Sequence, residues 1–152
     1  MTKLAVEKDT VLKRVNGIQA EIAELRKLAT LSYDDFLNQK GFELGQYHLH
    51  RALEGIFNIS AHILSRLPGA QATKYAEIAQ KLGEFGIVDK NFAATQLTEM
   101  AKYRNRLVHF YAEVTPEEIY KLLQNDLGDF DIFLRAVKNV LEQPGQFGLS
   151  VE

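Results

Sequence analysis

The chain has 152 residues, of which 46% are hydrophobic and 25% charged, with a formal net charge of −2. That length suits one domain with a buried core, so we treat residues 1–152 as a single domain. The slightly negative net charge argues against a protein that binds nucleic acid through its overall charge. Any nucleic-acid contact would need a local cationic patch. The absence of cysteine excludes disulfides, thiol catalysis and cysteine-ligated metal.

The lack of cysteine also fits a reducing compartment. The first ten residues lack the apolar core of a signal peptide, and no apolar run approaches the ~20 residues needed to cross a bilayer. The sequence therefore predicts a cytoplasmic protein with no membrane partner. Helical periodicity runs through the chain without β alternation, which predicts an all-α, up-down bundle of four to five helices.

Two long helices are predicted first. Residues 5–29 carry a narrow apolar seam, typical of a core helix or of a helix that docks on a second subunit. The second helix begins at Ser32, a good N-cap, and extends to about Leu67. Its glycines, Gly41 and Gly45, allow close backbone approach within the fold or across a dimer. The seam of the first helix comprises Val11, Val15, Ile18, Ile22, Leu25 and Ala29.

The second helix also carries polar residues for which the sequence predicts structural roles or surface positions. Asn58 is placed to hydrogen-bond His62, four residues on. No metal-ligand spacing joins the histidines of this helix, so the sequence predicts no metal site. Arg51 and Arg66 are expected on the exposed surface.

The remaining three helices follow from cap and turn signals. The third begins after a Thr73 cap and ends near Leu82, and the fourth spans about residues 89–111. Thr115-Pro116-Glu117-Glu118 predicts a capping box that starts the fifth helix. A bend is expected at Gly128, and residues 144–152, after the helix ends, are expected to be frayed.

The segment KYRNRLVHFY, residues 102–111, is the candidate site. Arg104 interrupts the apolar stripe of the fourth helix. Because a buried arginine needs a partner, Arg104 must either close the core in an ion pair or face a cleft. Arg104 and His109 are five residues apart, about 140° around an ideal helix. They converge on one ligand only if the helix ends near His109 or if a second copy contributes. Asn105 and His109 share a face.

RNRLVHFY has the pattern R-x4-H-x-Y, and it resembles the signature of HEPN-domain ribonucleases, specifically the HepT-like toxins. The resemblance extends from about Tyr33 to about Val140. It implies a HEPN-like fold and a metal-independent endoribonuclease that needs no cofactor. It also implies a homodimer in which two motifs form one cleft. In such a site Arg104 holds the phosphate, His109 transfers protons and Asn105 orients His109 or the ribose.

The resemblance also implies a partner and a modification. HepT-like toxins are paired with a minimal nucleotidyltransferase antitoxin, which is thought to transfer AMP to the tyrosine of the motif, here Tyr111. The bland interpretation of Tyr111 is a core residue on the apolar stripe. Lys102 and Arg106 are candidate contacts to the RNA backbone or solvated surface, and Tyr103 is a candidate for base stacking or simply packed.

Two other functions remain open from the sequence. The chain could be a non-catalytic helical subunit that binds a nucleotide phosphate or regulates a nucleotidyltransferase. It could also be a simple dimerisation module, although that function leaves Arg104 unexplained. The RNA substrate, whether tRNA or mRNA, does not follow from the residues.

Overall fold

A computed structural model describes residues 4–152, and these form the all-α fold that the sequence predicts. Within this range the only β pairing is an isolated parallel bridge between Val6 and Val151. None of the described helices is long and apolar enough to cross a membrane. The α-helices are α1 (Lys8–Ala29), α2 (Tyr33–Asn38), α3 (Gly41–Leu64), α4 (Tyr75–Glu84), α5 (Lys90–Phe92), α6 (Thr98–His109), α7 (Pro116–Asn125) and α8 (Gly128–Glu142).

The two longest helices, α1 and α3, pack along each other and form the centre of the bundle. The seam predicted for α1 faces this contact, with Val11, Ile18, Ile22 and Leu25 buried. Burying apolar side chains stabilises the fold by about 25 cal/mol for each Å² removed from water. The interpretation of α1 as a core helix is therefore supported by its packing.

The second predicted helix is two helices, α2 and α3, and the single-helix prediction is wrong. Lys40 has φ 60°, a left-handed conformation that interrupts the helix. A Cβ added to Gly41 would lie 2.2 Å from the Phe36 ring, so only glycine fits where α3 begins. A Cβ on Gly45 would lie 2.8 Å from Ile119 of α7. The small residues thus permit close approach within the fold.

The fourth predicted helix is also composite. It consists of α5, a π-helical turn at Ala93–Leu97, and α6. The Thr98 hydroxyl donates to the carbonyl of Ala93 at 2.7 Å, across the widened turn. α6 ends at His109, because Phe110 leaves the helical conformation (φ −133°, ψ 34°), and a 3₁₀ turn follows at Tyr111–Glu113. The helix therefore ends directly after His109, and Arg104 and His109 both lie within it.

The predicted start of the fifth helix is confirmed. The Thr115 hydroxyl accepts from the backbone N–H of Glu118, and the Glu118 carboxylate accepts from that of Thr115, both at 3.2 Å. The predicted helix separates into α7 and α8 at Gly128, where a bend was expected. For α4, the N-cap is Lys74 and not the predicted Thr73, whose hydroxyl caps nothing.

The two ends of the described chain are held together, and the prediction of a frayed segment at 144–152 is wrong. Residues Pro144–Phe147 form a 3₁₀ turn, and Leu149 is buried. The backbone N–H of Val6 donates to Ser150 O, and that of Glu152 donates to Val6 O, both at 2.9 Å. Backbone pairing and the buried Leu149 side chain hold this segment in place of the fraying expected after the last helix.

His62 of α3 and Arg66, just after the end of α3, fix the segment before α1. Arg66, predicted to be exposed, has only 17% of its side chain exposed. Its Nε donates to Ala5 O at 3.0 Å, and Nη2 lies 3.3 Å from the Glu7 carboxylate. His62 Nε2 accepts from the backbone N–H of Glu7 at 3.0 Å, and no hydrogen bond joins His62 to Asn58. The acceptor role requires an unprotonated Nε2 on His62.

We expect this contact to make stability depend on pH. Burial, and then the positive charge of Arg66, lower the pKa of His62 in the folded chain. The stabilisation is therefore complete above an unfolded-state pKa of about 6.5 and is lost as pH falls below it. His62→Gln keeps an acceptor that does not titrate, so urea unfolding between pH 7.5 and 5 should show a shallower pH dependence. If the free energy of unfolding changed equally with pH in the parent and in the variant, His62 would not be the source of the pH dependence.

Candidate active site

Arg104 lies on the face of α6 that packs against α3 and α4. Its Nε donates to the Glu54 carboxylate at 2.6 Å, and its guanidinium lies 4.2 Å from the centre of the Tyr75 ring. The side chain is 19% exposed. The Glu54 bond uses Nε and leaves both terminal nitrogens of the guanidinium outside that contact. Arg104 is therefore both paired and accessible, which combines the two environments expected from the sequence.

Glu54 is the centre of a polar cluster on α3. Its second carboxylate oxygen accepts from the Tyr75 hydroxyl at 3.2 Å, and His50 Nε2 lies 3.4 Å from the first. Burial, and then the Glu54 charge, raise the pKa of the Tyr75 hydroxyl, which keeps it as a neutral donor. The Tyr75 ring thus packs against one face of the Arg104 guanidinium, and the Glu54 carboxylate binds one edge of it. Such fixing favours a bidentate phosphate contact, because little side-chain freedom remains to be lost.

Asn105 contacts Arg104 and not His109. Its side-chain oxygen accepts from Arg104 Nη1 at 3.3 Å, and among the described residues no hydrogen bond joins it to His109. The amide nitrogen of Asn105 makes no hydrogen bond to another described side chain, so it can donate to a ligand held at Arg104. Of the two roles that the sequence suggested for Asn105, this geometry fits contact with the ligand.

His109 is the last residue of α6 and is exposed. Its ring lies beside that of Phe110, with centroids 6.4 Å apart at 72°. The hydrogen bonds of the described chain join Arg104 to Asn105 but not to His109. The structure therefore fixes the arginine inside a polar cluster and leaves the histidine free at the end of its helix.

Tyr111 follows His109 by two residues and begins the 3₁₀ turn. Its side chain is 66% exposed. The interpretation of Tyr111 as a core residue on the helical stripe is wrong, because α6 ends at His109 and the stripe does not extend to it. Its hydroxyl can be reached from solvent on the same end of α6 as His109.

Arg106, a candidate RNA contact, is occupied by the protein. Its guanidinium forms a two-pronged ion pair with Glu118, in which Nη2 lies 3.2 Å from Oε2. Nη2 also lies 3.4 Å from the carbonyl oxygen of Glu113, which it binds weakly. The hydrogen bond from Arg106 lowers the pKa of the Glu118 carboxyl. Arg106 therefore fastens the turn carrying Tyr111 to the start of α7.

The two other candidate RNA contacts differ in exposure. Lys102 is exposed and lies 3.3 Å from Glu99 in a surface ion pair. Such pairs are worth little, so Lys102 remains able to reach a phosphate. Tyr103 lines an apolar cavity of about 500 Å³ between α6 and α7–α8, and its hydroxyl is buried without a hydrogen-bond partner among the described residues. Burial, followed by the Glu118 charge, raises the pKa of Tyr103 to about 12. Packing therefore accounts for Tyr103.

We expect Tyr103→Phe to stabilise the fold or leave it unchanged. A buried hydroxyl without a partner costs about 1–3 kcal/mol, and phenylalanine keeps the ring while removing that group. The free energy of unfolding, measured with urea at pH 7, should rise or stay within error. A loss of more than about 1 kcal/mol would show that the hydroxyl has a partner in solution.

The histidines of α3 have protein partners. His48 Nδ1 lies 2.6 Å from the Glu21 carboxylate, which also accepts from Arg51 Nε at 2.7 Å. Burial acts to raise the pKa of Glu21, but the hydrogen bonds to Arg51 and His48, together with their charges, outweigh it and lower the pKa. Within residues 4–152 no group of three histidine and acidic side chains is placed to hold a metal ion.

Comparison with known proteins identifies the group to which this arrangement belongs. The profile of the family described as "Ribonuclease HepT-like" matches residues 18–137. The chain belongs to that family. A relative named tRNA nuclease HepT, from Aphanizomenon flos-aquae (strain 2012/KM1/D3), is 25% identical over 137 residues. The alignment covers 90% of this chain and 92% of the relative. This HepT-like chain is an endoribonuclease.

The sequence does not reveal the three residues that form the polar cluster around Arg104, namely Glu54, Tyr75 and His50. The signal for a partner existed, since an arginine on an apolar stripe demands a buried carboxylate. It could not say which of the 20 acidic residues would supply it. Glu54 lies 50 positions before Arg104, and Tyr75 lies on a different helix, α4.

Proposed function

We propose that this chain cuts RNA without a metal ion, by attack of the substrate's own 2′-hydroxyl on the adjacent phosphorus. The O2′–P bond forms, the P–O5′ bond breaks, and a cyclic phosphate remains on one product. The proton of O2′ leaves with an imidazole, and O5′ gains a proton from one. The observation that carries this proposal is Arg104, held by Glu54 and Tyr75, with Nη2 outside these contacts and Nη1 bound only to Asn105 among the described residues. The free His109 lies on the same helix.

The charges in this step match the residues. The phosphorane gains negative charge, which a preorganised guanidinium stabilises. Glu54 does not cancel that role, since it holds Nε and the phosphate would bind the other edge of the planar fork. Asn105 is placed to donate to the phosphate or to the ribose. Among the described residues, no group of three histidine or acidic side chains is placed to hold a metal ion. The proposed step uses only the imidazole, the guanidinium and the substrate's own hydroxyl.

We infer that the substrate is tRNA, because a relative that aligns over nearly the whole chain is named a tRNA nuclease. The test is cleavage of tRNA by the purified protein in excess chelator, beside the same tRNA with 2′-deoxyribose at the cut site. We expect cleavage with a cyclic phosphate end, and none at the deoxy position. Cleavage at the deoxy position would exclude 2′-hydroxyl attack. Cleavage of mRNA alone would exclude the tRNA assignment.

We propose that the working unit is a homodimer. Arg104 and His109 diverge by about 140° on an ideal helix, so each can meet its complement on a second copy. Mixing Arg104→Ala with His109→Ala protein should then restore part of the activity that each variant lacks. Activity that stays at the level of the separate variants, in a mixture shown to exchange subunits, would exclude a shared cleft.

We propose further that the chain is the toxin of a pair whose antitoxin is a minimal nucleotidyltransferase, which transfers AMP to Tyr111. The tyrosine oxygen would attack the α-phosphorus of ATP, losing its proton and releasing pyrophosphate. The exposure of Tyr111 supports it as an acceptor. An added phosphate near Arg104 would compete with RNA by charge and bulk.

The modification is tested with the nucleotidyltransferase and ATP. We expect a mass gain equal to one or more AMP groups and loss of RNA cleavage in the parent. Tyr111→Phe should gain no mass and should keep cutting in the presence of the partner. A protein that binds the partner but cleaves no RNA when unmodified would instead be a non-catalytic subunit of the complex.

A further inference from the structure

Phe110 is an exposed aromatic residue in the middle of the motif. Of the nine phenylalanines in the chain, all within the described residues, it alone is exposed, with 55% of its surface open. Exposing a large apolar ring forgoes about 1.5–3 kcal/mol of burial. Isolated exposed apolar residues are common, but Phe110 is followed directly by Tyr111, which is 66% exposed.

The position of Phe110 is set by the end of α6. Its backbone leaves the helix while its N–H still donates to Arg106 O at 2.9 Å, so the residue is anchored but its ring is outside the bundle. The ring stands beside that of His109 at 72°. A flat apolar face is therefore presented next to the group that transfers protons.

The other aromatic side chain considered for base stacking is unavailable. Tyr103 packs in the wall of the cavity with its hydroxyl buried. Arg106, which could also stack on a base, is committed to Glu118 and lies over the ring of Tyr103. Recognition of an unpaired base near His109 is thus left to the exposed rings at the end of α6.

We propose that Phe110 is a stacking subsite for an unpaired base next to the scissile phosphate. This subsite rests on the proposed ribonuclease function and adds a substrate class, RNA in which the nucleotide beside the cut is unstacked, as in a loop or at an end. Proteins bind such bases on aromatic faces, because every base offers a π-surface. Stacking on Phe110 would place the adjacent phosphodiester beside His109.

The test compares Phe110→Leu, which keeps an apolar side chain but loses the aromatic face, with the parent on matched substrates. One substrate has every base, and others carry an abasic nucleotide at each position flanking the cut. We expect kcat/KM of the parent to fall about 5- to 150-fold at one abasic position, the range of base–aromatic stacking. Phe110→Leu should show that loss on the complete substrate and no further loss at the abasic position. Phe110→Trp keeps an aromatic face and should cut the complete substrate with a kcat/KM close to that of the parent.

Controls separate this subsite from other causes. Ile132→Ala removes another exposed apolar side chain, 40% exposed on α8, and should leave kcat/KM unchanged. Losses from Phe110→Leu and the abasic position that multiply would overturn the subsite, because they would be independent. Dissociation of the oligomer in Phe110→Leu at the assay concentration would overturn it as well, by making the ring an interface contact. Failure of the parent to cut any RNA would count against the proposed function instead.

Discussion

Replacing His109 by alanine is expected to lower the rate of RNA cleavage by about 10²- to 10⁴-fold, the range for loss of a positioned acid–base group. The effect should appear in kcat. His109 is exposed and makes no hydrogen bond to another described residue, so its loss should not disturb folding. Single-turnover cleavage of tRNA, with protein in excess, measures the chemical step directly.

The controls for His109 follow from its position at the end of α6. The variant should unfold at the parent's urea concentration, because an exposed side chain contributes little to the core. Added imidazole should restore part of its activity, as the site is open to solvent. Cleavage by His109→Ala at the parent's rate would remove the histidine from the mechanism and would point to a contaminating nuclease.

The second large effect concerns Arg104 and the residue that holds it. Arg104→Ala should slow cleavage by about 10²- to 10³-fold, as for loss of one donor to a developing oxyanion. Glu54 itself is not expected to contact RNA. Glu54→Ala should still slow cleavage by up to about 100-fold, because it releases the Arg104 guanidinium from its fixed position. In the Arg104→Ala background, Glu54→Ala should cause no further loss of activity, since there is no guanidinium left to position.

Stability separates positioning by Glu54 from simple damage to the fold. The pair is largely buried, with 19% and 27% of the two side chains exposed, so Glu54→Ala should cost about 1–3 kcal/mol. Glu54→Gln keeps one acceptor oxygen for Arg104, and its amide nitrogen would donate to the Tyr75 hydroxyl. It should recover most of the stability but less of the activity. Equal recovery of both would mean that Glu54 acts only through folding.

The sequence predicted the helices well and their interruptions poorly. Apolar periodicity and the Thr115–Glu118 capping box are local signals, and the structure contains what they predict. The break at Lys40 depends on Phe36 and Gly41 packing together, and nothing within the periodic stripe of α3 indicates it. Likewise, the ordered end at Leu149 depends on pairing with Val6, which lies more than 140 residues away in the chain.

The candidate site divides in the same way. The motif residues were found because they lie within eight positions of one another and resemble a known signature. The roles of Arg106 and Tyr111 were less accessible, because one depends on an ion pair with Glu118 and the other on where α6 ends. Local sequence therefore identified the chemical groups, and long-range packing decided which of them are free to act.

The contact between Glu54 and Arg104 changes how active members of this family should be recognised in genomes. A search that reads only R-x4-H-x-Y will accept chains in which the arginine has lost its support. Requiring an acidic residue on the long third helix and an aromatic residue at the start of the fourth, at the places of Glu54 and Tyr75, adds a geometric filter. Copies that keep the motif but lack both supports are expected to be degenerate nucleases, and measured cleavage by a few of them would calibrate the filter.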